Sequence, residues 1–161
     1  MKETAMEARI DYYANPIAAK FAKHINAAGL ALKKTGLPAE IPNLVLLRAS
    51  QINGCGVCTD MHAKDAAHAG ETTVRLTMVA AWRDSVVFTE PERAALALTE
   101  AGTRLADSAG VSDDVWDTAR KHFDDDQLSG LVSLIALINA YNRMNAIPRI
   151  PGGNYTPGAW S

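Results

Sequence analysis

The stretch "QINGCGVCTDMHAKDA", residues 51–66, holds both cysteines of the chain, Cys55 and Cys58, and a histidine, His62, four residues after the second. A Cys-x-x-Cys pair points to redox chemistry or metal binding, and the thioredoxin-like version of that motif needs strands around it. This sequence offers none: apolar residues recur at helical spacing almost throughout, and no alternating run bounded by turn pairs occurs. The motif must sit on a helical scaffold, so the reading is an all-α fold. Asn53-Gly54 favours a turn and breaks the preceding helix. The cysteine helix is then expected from about Gly54 to Ala69, ending at Gly70, with Cys55 in its first turn.

Free N–H groups and the positive end of the dipole stabilise an anion at a helix start, and a thiolate is an anion. At about 100° per residue, Cys55, Cys58 and His62 fall within an arc of roughly 60° on one face. Two sulfurs at i, i+3 are close enough for a disulfide, and His62 can take a proton from Cys58 directly or through water. Three readings stay open. A redox-active dithiol leads. A zinc site would need three or four ligands, three of them from one short helix, and His24, His68 and His122 add no paired spacing. The third reading is two small core residues beside an incidental histidine.

Outward from this motif, helices are expected at 16–29, where Pro16 suits a first turn and Gly29 a stop, and at 42–52 after the Gly- and Pro-containing loop 33–42. Another is expected at 72–82 with Thr72 as cap. The clearest start is at 89–107, where Thr89 and Glu92 form a capping box with Pro91 in the first turn. Ser112, followed by Asp113 and Asp114, opens a helix to about Phe123. Asp126 is read as the cap of an apolar helix 127–145. The tail 147–161, rich in Pro and Gly, reads as irregular. No repeat or linker divides the chain, so a single domain is expected over 1–161.

At 161 residues the chain can bury roughly two-thirds of its unfolded surface. A net charge of −2 leaves no basic stripe for nucleic acid or an anionic membrane. The start "MKETAMEARIDYY" lacks an apolar core for a signal peptide, and "GLVSLIALINAY" (130–141) is too short to span a bilayer. A cytoplasmic protein is expected, and in a reducing compartment a close cysteine pair is more often catalytic or metal-binding than a structural disulfide.

"LRASQINGCGVCTDMHAKDA" (47–66), "AAWRDS" (80–85), "TEPERAALALTEA" (89–101) and "INAYNRMN" (138–145) together resemble, in the same order, the alkylhydroperoxidase AhpD-like branch of the carboxymuconolactone decarboxylase superfamily. The resemblance covers about residues 10–153. It implies a helical bundle with the CxxC at the start of a central helix, assembling as a homo-oligomer, a trimer or a hexamer. It implies a thiol-dependent peroxidase or disulfide oxidoreductase with no bound cofactor, taking a hydroperoxide and an external dithiol or thioredoxin-like reductant. Carried over, Cys58 is the peroxidatic thiol, Cys55 the resolving thiol and His62 part of a proton relay. Helix position alone favours Cys55 as the more reactive sulfur.

Two positions depart from the family pattern. Its well-studied members carry a glutamate twelve residues before the first cysteine, where this chain has Asn43, and an amide cannot accept a proton as a carboxylate does. Some have a histidine just before the second cysteine, where Val57 stands. Glu40, one turn before Asn43, is a substitute carboxylate to consider. Asp65 can orient His62, and Ser50 can line the same pocket as Asn43. Both also read as ordinary surface or packing residues. Asn139, Asn142, Arg143 and Asn145 are polar positions on an apolar helix, where buried amides need partners between helices or subunits. Trp82 and Arg83 read as packing and surface pairing. The competing functions are a carboxymuconolactone-type decarboxylase, which needs no vicinal dithiol, and a non-catalytic, redox-sensing helical oligomer.

Overall fold

A computed structural model describes residues 6–159 and, among them, no strand. Residues 1–5 of the segment read for a leader, and residues 160–161 of the tail, lie outside the described residues. The helices are α1 (Pro16–Ala31), α2 (Glu40–Ile52), α3 (Gly56–His68), α4 (Thr73–Met78), α5 (Glu90–Thr103), α6 (Asp113–Arg120) and α7 (Asp125–Ala146), with 3-10 turns at Leu32–Lys34, Val79–Asp84 and Leu105–Asp107.

Local chemistry explains most boundaries. Asn15 caps α1 by accepting from the N–H of Ile17, with Pro16 in the first turn. Thr89 and Glu92 make a reciprocal capping box on α5, and Ser112 caps α6. Several expectations need correction. Gly29 does not stop α1, which runs on to Ala31. Its bare Cα instead faces α7, where an added Cβ would lie 3.4 Å from Leu137. Helix α2 begins at Glu40, because Pro42 falls in the first turn, where no intrahelical N–H bond is owed. The cap of α7 is Asp124, not Asp126: Asp124 accepts from the N–H of Gln127, whose side chain reaches back to the Asp124 N–H. The expected helix 72–82 is α4 plus a 3-10 segment, kinked at Ala81. Helix α6 ends at Arg120 rather than Phe123.

Helix α2 packs against α3, α5 and α7, and its apolar residues lie on more than one side, as a buried helix requires. Ile41 and Val45 join Ala94, Leu98, Phe123, Leu131 and Ile135 in one core cluster. Leu44 and Leu47 join Val79, Trp82, Phe88 and Leu96 in another. A third and smaller cluster is made by Cys55, Val57 and Cys58, with Ala146 and Ile150 packed on it. The end of α7 and the segment after it therefore cover the cysteines.

Two buried carboxylates on one face of α5 anchor the chain between α4 and α5. Glu92 pairs with Arg75, and Glu100 pairs with Arg48 (2.6 Å) and with Arg83 and accepts from the Trp82 indole (2.9 Å). Burial alone would raise the Glu100 carboxyl, but the bonds from Arg83, Trp82 and Arg48 outweigh it and hold it below its usual range. The guanidinium of Arg83 also stacks 4.3 Å from the Trp82 ring centroid.

Candidate active site

Gly54 has a φ of 63°, the left-handed conformation the turn between α2 and α3 requires. That turn delivers Cys55 as the N-cap of α3, one position outside the first helical turn where the sequence placed it. The Cys55 sulfur accepts from the Cys58 N–H at 3.3 Å. The two cysteines form a disulfide with a Cα–Cα separation of 5.3 Å, within the ordinary range for such bonds. Both are buried, Cys55 at 0% and Cys58 at 2% relative exposure. Among the described residues, no group of three or more His, Cys, Asp or Glu side chains is placed to hold a metal ion.

The turn is gripped by amides on one stripe of α7. The Asn53 side chain donates to Asn139 (3.0 Å) and to Asn142 (2.9 Å). Asn142 in turn donates to the Ser50 hydroxyl at 3.0 Å, and that hydroxyl donates to the Leu46 carbonyl at 2.7 Å. Ser50 is thus a fully buried link between α2 and α7. One turn further along α7, Asn145 directs its Nδ2 at the Cys58 sulfur, 3.7 Å away.

His62 follows Cys58 by one helical turn. Its Nε2 is buried with no hydrogen-bond partner among the described residues. Burial lowers its pKa to about 4, against a smaller raising influence from Asp65, so the imidazole is neutral at physiological pH. Asp65 itself accepts from the Tyr155 hydroxyl at 2.9 Å and from the Gly158 N–H, which places it on the C-terminal segment. Asn43 is half-buried on α2, and Glu40 is exposed at that helix's start.

Sequence reasoning missed how α3 holds the C-terminal segment. Asp60 accepts from the N–H groups of Gly153 (2.7 Å) and Tyr155 (3.0 Å), and Lys64 donates to the carbonyls of the same two residues. The i, i+4 spacing of Asp60 and Lys64 was visible, but their partners lie about ninety residues away and carry no local signal.

The carboxymuconolactone decarboxylase family signature matches residues 19–101. The chain is 35% identical over 140 residues to the uncharacterized protein YdfG of Bacillus subtilis (strain 168), covering 87% of this chain and 93% of that protein. It matches the crystal structure of a protein of unknown function from Agrobacterium tumefaciens, put forward as an antioxidant defence protein AhpD, with a TM-score of 0.85 and 34% identity over 92% of this chain and all of the other. The debrominase Bmp8, at 18% identity and a TM-score of 0.75 over 84% of this chain and 73% of its own, shares the fold.

Proposed function

This chain belongs to the carboxymuconolactone decarboxylase family, and we propose that, within its AhpD-like branch, it is a thiol-dependent peroxidase that cycles the Cys55–Cys58 pair. The observation that carries this reading is the disulfide itself, closed at the start of α3 with His62 one turn on. The description of the Agrobacterium relative agrees with it.

In this reading the Cys58 thiolate attacks the terminal oxygen of a hydroperoxide. The O–O bond breaks, the alkoxide takes a proton and leaves as an alcohol, and Cys58 becomes a sulfenic acid. The Cys55 sulfur then attacks Cys58, the S–O bond breaks, water leaves and the disulfide forms. An external dithiol or thioredoxin-like protein returns both thiols. The net reaction converts hydroperoxide and dithiol to alcohol, water and disulfide. Neutral His62, one helical turn after Cys58 and with a buried nitrogen unpartnered among the described residues, is our candidate for passing protons. Exposed apolar side chains at Ile10, Ile17 (82% exposed) and Phe21 (50%) support a homo-oligomer.

The test is to mix reduced protein with one equivalent of hydroperoxide and follow thiols and intact mass. Rapid loss of two hydrogens' mass, reversed by dihydrolipoamide or thioredoxin, supports peroxide turnover. Thiols that stay reduced for many minutes would sink it. Serine variants of each cysteine with a sulfenic-acid trap identify the attacking sulfur; trapping only in Cys58→Ser would reassign that role to Cys55. The burial of both sulfurs favours a second reading, a redox-sensing oligomer, and slow oxidation without turnover is its signature.

A further inference from the structure

We propose that Asn145 is a catalytic residue, the side chain that holds Cys58 as a reactive thiolate, and that Tyr13 is the positioning residue that aims it. This rests on the dithiol reading above for the identity of the attacking sulfur.

The orientation of the Asn145 amide is fixed by its neighbours. Its Nδ2 lies 2.9 Å from the Tyr141 carbonyl oxygen, and a carbonyl only accepts, so the NH2 group must face it. One hydrogen of that NH2 goes to Tyr141, which leaves the other for the Cys58 sulfur, 3.7 Å from Nδ2. The amide oxygen takes the remaining place and accepts from the Tyr13 hydroxyl at 3.0 Å. All three hydrogen-bonding capacities used are thereby assigned, and flipping the amide would set its oxygen against the Tyr141 carbonyl oxygen. Although Tyr13 is 42% exposed, partial desolvation raises its phenol above the usual range, and it remains a donor.

A thiolate is a far better acceptor than a disulfide sulfur, so this N–H stabilises the reduced, ionised form of Cys58 selectively. Cys55 already has the helix-start N–H of Cys58; Asn145 supplies Cys58 with the donor that helix position denies it. Among titratable groups, Cys55 is bonded to Cys58, His62 follows it by one turn of α3, and Tyr13 stands behind Asn145. The side chains of Asn142, Asn145 and Ala146 from α7, and Ile150 beyond it, carry no charge. Asn142 and Asn139 meet Asn53 rather than sulfur, so the stripe divides into two amides that grip the turn and one that serves the thiol.

The test is the pH profile of iodoacetamide alkylation of Cys58, read by mass spectrometry in a Cys55→Ser parent. Asn145→Ala is expected to raise the midpoint by about one unit, which slows alkylation near pH 7 about tenfold. Asn145→Asp, which puts a negative charge beside the thiolate, is expected to raise it further, and Tyr13→Phe to raise it less. Asn142→Ala is expected to lower Tm and leave the midpoint in place. Midpoints unchanged in Asn145→Ala and Asn145→Asp, with Tm alone reduced, would overturn the assignment. Should those variants fail to fold, an unchanged midpoint in Tyr13→Phe overturns it. Alkylation needs no peroxide, so a shifted midpoint without peroxide consumption would end the peroxidase reading and leave this one standing.

Discussion

Gly152 lies against the backbone of Gly56, the first residue of α3: a Cβ added at Gly152 would come within 2.5 Å of the Gly56 carbonyl oxygen and 2.8 Å of the Val57 nitrogen. The obstacle is backbone at the helix start, which cannot swing aside as a side chain does. Gly152→Ala must therefore push the C-terminal segment off α3, and with it the cover that Ile150 gives the disulfide. The expected result is a Tm lower by several degrees and a faster reduction of the disulfide by dithiothreitol. Reduction at the parent rate would show that this segment does not control access to the sulfurs.

The clamp on the same segment gives a milder version of that test. Burial works to raise the Asp60 pKa, but the Lys64 side chain and the N–H groups of Tyr155 and Gly153 prevail and hold it below its usual range. Asp60→Asn keeps an acceptor and loses the charge, so it is expected to cost about 1 kcal/mol in denaturant unfolding. Asp60→Ala removes both acceptors and is expected to cost more and to speed disulfide reduction. Equal losses in the two variants would show that the bonds to Gly153 and Tyr155 do not matter.

Glu100 is a buried carboxylate that holds three side chains, Arg48, Trp82 and Arg83. Removing it leaves Arg48 half-buried with, among the described residues, only Gln51 as a side-chain partner, so Glu100→Ala is expected to destabilise by about 3 kcal/mol. Arg83 is largely exposed, and Arg83→Ala is expected to cost under about 1 kcal/mol. Because the Glu100 carboxyl titrates below its usual range, its contribution is present above the ordinary carboxylate pKa and is lost as pH falls below that. Urea unfolding of both variants at neutral pH checks the order; a greater loss for Arg83→Ala would refute it.

His62 is expected to make stability depend on pH above the ordinary carboxylate range. Its pKa in the folded protein is about 4, against an ordinary value of 6.5. Between those values the unfolded chain binds a proton that the folded protein refuses, so stability falls as pH drops from about 6.5 to about 4. The total is on the order of 3 kcal/mol. Replacing the imidazole, as in His62→Gln, is expected to flatten this part of the profile, and a slope unchanged by that substitution would show that another group causes it.

How much of this was legible depended on how local the cause was. Thr89 with Glu92, and Ser112, announce helix starts within four residues, and the structure uses both. Asp124 was readable too, since Gln127 stands three residues on, but three consecutive aspartates made the wrong one look equally suitable. The kink at Ala81 has no Gly or Pro to announce it; the segment there positions Trp82 to reach Glu100, a partner eighteen residues away. The CxxC, its turn and the helical scaffold were visible because spacing alone defines them. Asn145 stood out as a polar residue on an apolar helix, but its sulfur partner is eighty-seven positions distant. Only the packing of α7 on α3 joins them.

The last prediction concerns Asn43, where well-studied members of the AhpD-like branch carry glutamate. An amide there can orient a proton donor but cannot take a proton, whereas a carboxylate can do both. Asn43 is half-buried, and its side chain has no hydrogen bond among the described residues, so Asn43→Glu breaks no hydrogen bond there. Desolvation would raise the new carboxyl's pKa toward neutrality, the range in which a proton relay works best. Under the proposed peroxide chemistry, Asn43→Glu is expected to speed peroxide-driven thiol loss at least about tenfold, with the disulfide again the product. His62→Gln in the same background should abolish the gain if the new carboxylate acts through the imidazole. A rate equal to that of the natural chain, in a variant shown to be folded, would mean that the missing carboxylate is not what limits this protein.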